Sequence, residues 1–363
     1  MQLFSCQNCG QLLFFENRSC ENCGARLGYD PATGQLLALA ASAEAHEAGD
    51  RWQPVDSPGQ QFRFCDNAAH DACNWLVPAL SDDRFCLACR HNRTIPDLSV
   101  GDHLPRWQKL EIAKHRLFYQ LIKFGVPRPT IAEMPGHGLV FDFLAEMPVP
   151  GATRVMTGHD SGLITLNMQE ADDAERERLR TQMHEPYRTL LGHFRHEIGH
   201  FYWDILVRDG GHLDACRAVF GDDREDYAQA LQRHYDQGPL PGWQEHFISH
   251  YATTHPWEDF AETWAHYLHI VDTLETASVF KLGVHPKKTS DPDLHADITL
   301  NPYGAGPIGG LIEAWLPLTY AVNSLNRSMG INDLYPFILS PGVIAKMEFI
   351  HELVQGNLAK PQA

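Results

Sequence analysis

The chain has 363 residues, more than one typical domain, and its hydrophobic share of 44% is that of an ordinary globular protein with a sizeable core. A formal charge of −17 argues against nucleic-acid binding driven by phosphate neutralisation, and no apolar run approaches the length needed to span a membrane. Residues Met1 to Phe15 lack a basic leading region and carry Cys6 and Cys9, so they do not read as a signal peptide, and the cytoplasm is the expected compartment.

Eight of the nine cysteines lie in the first 89 residues, with Cys-x-x-Cys spacing at Cys6/Cys9, Cys20/Cys23 and Cys86/Cys89. The first two pairs run on into Gly10 and Gly24, the pattern of a zinc knuckle, where two thiolates grip one ion and glycine takes the tight turn. Cys6, Cys9, Cys20 and Cys23 therefore predict one structural zinc site, in preference to a redox pair or an iron site with the same ligands. Cys65, Cys73, Cys86 and Cys89 predict a second, less regular one, with His70 as a substitute ligand to weigh against a plain surface histidine. Between the quartets, Ala38 to Gly59 is rich in Ala, Glu, Gly, Ser and Pro and reads as a loosely structured connection. Cys216 stands apart and reads as a buried apolar side chain.

Turn residues from Thr94 to Pro105 close the cysteine-rich part, expected over residues 1–93, and a second domain is expected over 94–363. Trp107, Leu110, Leu117, Phe118 and Leu121 recur at helical spacing until Gly125 and Pro127, with Lys109, Lys114 and Lys123 on the side expected to face solvent. Gly138 to Leu144 and Gly162 to Asn167 alternate apolar and polar residues like strands, and an edge strand there could pair with an extended peptide. Glu170 to Arg180 reads as a charged helix that runs on or breaks near Pro186.

The run from His193 to Trp203 contains His196-Glu197-x-x-His200. On a helix, residues i and i+4 share a face, so both imidazoles can converge on one ion, while Glu197 sits beside it without ligating. A carboxylate there can take a proton from a water that zinc has acidified, which is the chemistry of a zinc hydrolase. Trp203 and Leu206 occupy the positions where a metzincin needs Gly and His, so the third ligand must come from another element.

That element is the stretch His255 to Leu268, which opens on Pro256 and then reads as helix. Glu258 and Glu262 lie one turn apart, and Trp257, Phe260, Ala261, Trp264 and Leu268 leave little room for a solvated helix. Glu258 is the expected third ligand and Glu262 the group that hydrogen-bonds a ligand imidazole; on the helix-face argument alone the reverse assignment stays open. Further on, Phe220 to Tyr227 reads as a turn with a capped helix start. Gly304 to Gly310 leads into an apolar helix, Leu311 to Leu325, without the lysine of a phosphate loop. Ser340-Pro341-Gly342 caps a last helix, Val343 to Val354.

Helical His-Glu-x-x-His followed by a helical Glu-x-Phe-Ala-Glu resembles the gluzincin branch of zinc peptidases. The segments Gly162–Asn167, Pro186–His200 and His255–His266, together with the cysteine-rich head, resemble bacterial zinc-binding metallopeptidases that carry an N-terminal zinc ribbon, and the likeness covers nearly the whole chain. It implies that Glu258 is the third ligand and that Tyr251, seven residues before it, donates to the oxyanion. The long gap between His200 and Glu258 departs from thermolysin-like enzymes, whose substrate pockets do not carry over.

The expectation is thus an α+β protein: a small zinc-ribbon module, then a zincin-like metallopeptidase domain with a mostly helical C-terminal lobe. It would bind one catalytic and two structural zinc ions and cleave a peptide or protein substrate, with Glu197 as general base. The competing reading is an inactive peptidase fold that binds a protein partner through the ribbon. A nucleic-acid partner is disfavoured again by residues 1–104, which hold seven Arg, no Lys and thirteen Asp or Glu.

Overall fold

The structure is a computed structural model that describes residues 1–42, 51–146, 155–182, 188–239, 241–304 and 306–358. It divides into two compact units: Met1–Ile122 with Pro127–Thr157 and Leu163–Asp172, and Lys123–Val126 with Gly158–Gly162 and Asp173–Ala363.

The first unit begins with β1 (Phe4–Ser5) and β2 (Leu12–Leu13), an antiparallel pair that holds the first knuckle. An antiparallel meander follows: β3 (Arg26–Asp30), β4 (Gln35–Ala41), β5 (Trp52–Pro54), β6 (Phe62–Phe64) and β7 (Leu76–Pro78), paired in that order. The first hairpin is set by Asp30, whose carboxylate accepts from Ala32 N at 3.1 Å and Thr33 Oγ1 at 2.7 Å, and by Gly34 at φ +68°. The connection expected to be loose, Ala38 to Gly59, is strand over half of its described length, because Ala38 and Leu39 bury side chains that the polar composition around them concealed. Residues 43–50 lie outside the described residues.

β8 (Asn92–Thr94) precedes α1 (His103–Phe124), whose Trp107, Leu110, Leu117, Phe118 and Leu121 are buried as expected. Tyr119 joins an aromatic core with Phe15, Tyr29 and Trp75. Lys114 departs from expectation: it is wholly buried, because Glu111 one turn back neutralises it at 2.8 Å. β9 (Val140–Leu144) lies between β8 and β11 (Leu163–Asn167), parallel to both. Parallel strands covered on two faces lose their alternation, and Val140 to Phe143 are all buried.

The second unit takes in β10 (Gly158–Asp160) and then is helical: α2 (Asp173–Gln182), α3 (Leu190–Tyr202), α4 (Leu213–Phe220), α5 (Tyr227–Gln237) and α6 (Pro256–Val279). A short antiparallel pair, β12 (Gly283–Val284) with β13 (Ala296–Asp297), precedes α7 (Ile308–Ser328) and α8 (Pro341–Gln355). The expected break near Pro186 lies outside the described residues. The predicted caps are present: Asp226 Oδ1 accepts from Gln229 N at 2.9 Å, and Ser340 Oγ from Val343 N at 3.3 Å.

α6 is the axis of this unit, in contact with α3, α4, α7 and α8. Phe260, Trp264, Leu268 and Val271 are buried around it, as the apolar character of its sequence demands. Two ion pairs fix its neighbours: Arg195 of α3 donates to the part-buried Asp272 at 2.6 Å, and Lys346 of α8 donates to the buried Asp259 at 2.5 Å. Among the described residues, no helix is long and apolar enough to cross a membrane.

Candidate metal centre

α3 starts where Thr189 Oγ1 accepts from Gly192 N at 2.9 Å, and α6 where His255 Nδ1 accepts from Trp257 N at 3.1 Å, with Pro256 in the first helical turn. The two helices approach closely at Gly199, where a Cβ would stand 2.9 Å from Ala261 Cα. This closeness carries the acidic face of α6 onto the histidine face of α3.

The result is a convergence of three donor atoms. His196 Nε2 lies 3.2 Å from His200 Nε2 and 3.1 Å from Glu258 Oε2, and His200 Nε2 lies 3.4 Å from the same oxygen. Ligand atoms about 2.0–2.1 Å from a tetrahedral zinc stand about 3.3–3.4 Å apart, so the set fits such an ion. Glu258 Oε2 is buried without a hydrogen-bond partner, as a donor atom directed at a metal would be.

Two of the donors are held from behind by hydrogen bonds, and the third, His200, by ring packing. Glu262 Oε1 lies 2.7 Å from His196 Nδ1, and Glu262 Oε2 accepts from Ser249 Oγ at 2.6 Å. Tyr227 OH donates to Glu258 Oε1 at 2.7 Å, leaving Oε2 to the metal side. The Trp257 ring lies 3.9 Å, centroid to centroid, from that of His200, and His159 of β10 stacks beside His200 at 6.0 Å. Burial pushes the His159 imidazole down to about 3, so this neighbour is uncharged at neutral pH.

Glu197 is buried on the same helix and makes none of these contacts. Burial raises its carboxyl above the ordinary range, with His196 and His200 pulling the other way. Tyr251 sits at 5.9 Å, ring to ring, from His196, and burial pushes its phenol well above the ordinary tyrosine value. The structure thus brings His196, His200, Glu258, Glu262, Glu197 and Tyr251 into one region of the second unit. Tyr227, Ser249 and His159 were missed, and only the cap signal at Asp226 marked the neighbourhood of Tyr227.

The cysteine quartets also gather. Cys6 and Cys23 sulfurs are 3.7 Å apart and those of Cys9 and Cys20 3.6 Å, close to the edge of about 3.8 Å expected for thiolates on a tetrahedral zinc and far beyond a disulfide. Gly10 and Gly24 take φ of +76° and +73°, the turn the knuckle needs. Cys73 and Cys86 sulfurs lie 3.8 Å apart in the second quartet, whose four sulfurs are within 4.8 Å of one another. His70 is exposed and is no part of the cluster; the histidine facing these sulfurs is His115 of α1. Cys216 is buried, which pushes its thiol up to about 12.

Family models match both parts of the chain. A zinc-ribbon domain model matches residues 3–100, and a model described as "putative zinc-binding metallo-peptidase" matches residues 103–353. Proteins of Mycobacterium bovis and of Mycobacterium tuberculosis strains CDC 1551 and H37Rv, each named only as an uncharacterized protein, are 41% identical over 355 residues, covering 98% of this chain and 95% of theirs. No solved structure matches the chain. With its ribbon cysteines clustered and a zinc-type donor set on α3 and α6, the chain belongs to the putative zinc-binding metallo-peptidase family.

Proposed function

We propose that this protein is a zinc-dependent peptidase of the gluzincin kind, with His196, His200 and Glu258 as the ligands of the catalytic ion. The observation that carries this reading is the convergence of His196 Nε2, His200 Nε2 and Glu258 Oε2 at 3.1–3.4 Å, with the buried carboxylate of Glu197 on the helix that supplies both histidines. When bound, zinc supplies Lewis acidity toward the scissile carbonyl and lowers the pKa of water toward neutrality.

The chain's own groups do the rest. Glu197 takes a proton from the attacking water and passes it to the leaving amine, a task helped by the upward shift of its carboxyl. Tyr251 donates to the oxyanion that develops on the carbonyl. Glu262 orients the His196 ring through Nδ1, and Tyr227 orients the Glu258 carboxylate. Structural zinc in the two cysteine clusters brings the expected total to about three ions per chain.

The test is metal content and hydrolysis of a broad peptide library, for the wild type and for Glu197→Gln. An amide cannot accept the proton, so the variant should keep its zinc and its fold while losing most cleavage. Undiminished cleavage by Glu197→Gln would overturn the mechanism. A zinc-loaded wild type that cleaves nothing in the library would favour a protein-binding scaffold instead.

A further inference from the structure

The second cysteine cluster offers more donors than a tetrahedral ion takes. Besides the four sulfurs, Nε2 of His115 lies 3.3 Å from Cys73 Sγ, 3.5 Å from Cys89 Sγ and 3.9 Å from Cys86 Sγ. On a tetrahedral zinc with sulfur at about 2.3 Å and imidazole nitrogen at about 2.0–2.1 Å, nitrogen and sulfur stand about 3.5 Å apart. The three distances scatter around that edge, so the ring faces Cys73, Cys86 and Cys89, while the Cys65 sulfur stays within 4.8 Å of the other three sulfurs. The other ring nitrogen is already committed, since Nδ1 donates to the Glu111 carbonyl at 2.6 Å. That bond fixes the tautomer and leaves the Nε2 lone pair facing the sulfurs, as in a metal-bound histidine.

Charge favours the same assignment. All four cysteines are buried, as are Glu111, Lys114 and His115, and the Lys114–Glu111 pair at 2.8 Å is neutral as a whole. Four thiolates on a divalent ion would leave two uncompensated negative charges in this interior; three thiolates and an imidazole leave one. The first cluster has no such constraint, because Cys9 is exposed and Cys23 half-buried, so that four thiolates there are partly solvated.

We propose that the second ion is held by Cys73, Cys86, Cys89 and His115, with Cys65 a neighbouring thiol outside the ligand set. The cysteines belong to the segment matched as zinc ribbon and His115 to the segment matched as metallo-peptidase. The ion therefore ties the ribbon to α1 and makes the ribbon's metal site dependent on residues beyond the ribbon itself.

Cadmium NMR of full-length, isotope-labelled protein tests this directly. The wild type should show one ribbon ion at the shift of four thiolates and a second at the shift of three thiolates and one nitrogen, scalar-coupled to the His115 ring. Cys65→Ser should retain the second ion with its spectrum unchanged. His115→Ala should abolish the coupled signal, with the ion either lost or moved to the four-thiolate position as Cys65 enters. Two uncoupled four-thiolate resonances in the wild type would overturn the assignment, as would the absence of any second thiolate-bound ion. The wild-type spectrum decides the matter even where a variant fails to fold.

Discussion

Gly199 of α3 and Ala261 of α6 meet so closely that a Cβ on the glycine would stand 2.9 Å from Ala261 Cα and 3.3 Å from Trp264 Cβ. The backbone and a packed tryptophan cannot yield there as a flexible side-chain end would. Gly199 lies between the two histidines of its helix and the acidic face of α6, so the contact that sets the helix separation also sets the ligand geometry. Gly199→Ala should cost about 1–3 kcal/mol through overpacking and weaken zinc binding as Glu258 is pushed away from His196 and His200. Thermal unfolding and zinc titration measure both. An unchanged midpoint with unchanged affinity would mean that the helices accommodate the methyl group and that their close approach does not govern the site.

Glu258 and Glu262, one turn apart on α6, differ in what they reach. Glu258 Oε2 faces both imidazole Nε2 atoms, whereas Glu262 reaches His196 Nδ1 and Ser249. Glu258→Gln should therefore empty the site more completely than Glu262→Gln, whose effect on zinc affinity should be about 10- to 100-fold. Competition with a chelator of known affinity ranks the two. If Glu262→Gln releases the metal while Glu258→Gln holds it, the roles are exchanged.

Much of this site was legible because its parts are local. His196 and His200 are one helical turn apart, as are Glu258 and Glu262, so spacing alone placed each pair on a shared face. Tyr227 and Ser249 reach Glu258 and Glu262 from 31 and 13 residues away, through folding that no periodicity encodes. His115 was hidden similarly: it lies 26 residues beyond the last clustered cysteine, inside a helix whose pattern announced only a core face. Lys114 was misplaced for the opposite reason, since spacing marks a charged residue as solvated and cannot show the buried carboxylate that neutralises it. The short strands of the ribbon were obscured because polar residues surround the few apolar ones that they bury.

Acid should loosen the second unit through His266. It is buried on α6 with Nδ1 2.8 Å from Tyr335 OH, and burial pushes its pKa down to about 4. The unfolded chain binds this proton near the ordinary value of about 6.5, so the folded form is favoured above that pH and loses its advantage as pH falls toward 4. The full contribution is roughly 3 kcal/mol. Thermal midpoints measured between neutral pH and pH 4 should fall less steeply for His266→Gln than for the wild type. Parallel slopes would assign the acid sensitivity to other groups.

Two tyrosines near the proposed zinc ligands should fail in different ways. Tyr227 OH donates to Glu258 Oε1 at 2.7 Å and so acts on the ligand. Tyr251 lies beside the His196 ring, and the hydrogen bonds to Glu258 Oε1 and His196 Nδ1 involve Tyr227 and Glu262 instead. Tyr227→Phe should accordingly weaken zinc affinity by about 10- to 100-fold and, once zinc is restored to saturation, recover most of its activity. Tyr251→Phe should keep normal zinc affinity and lose turnover, by about 100- to 1,000-fold in kcat with little change in KM, because an oxyanion donor acts on the transition state more than on the bound substrate. Zinc titration alongside steady-state kinetics at saturating metal separates the two effects. Should Tyr251→Phe lose metal and regain turnover with added zinc, its hydroxyl supports the ligands and the oxyanion must find its donor elsewhere.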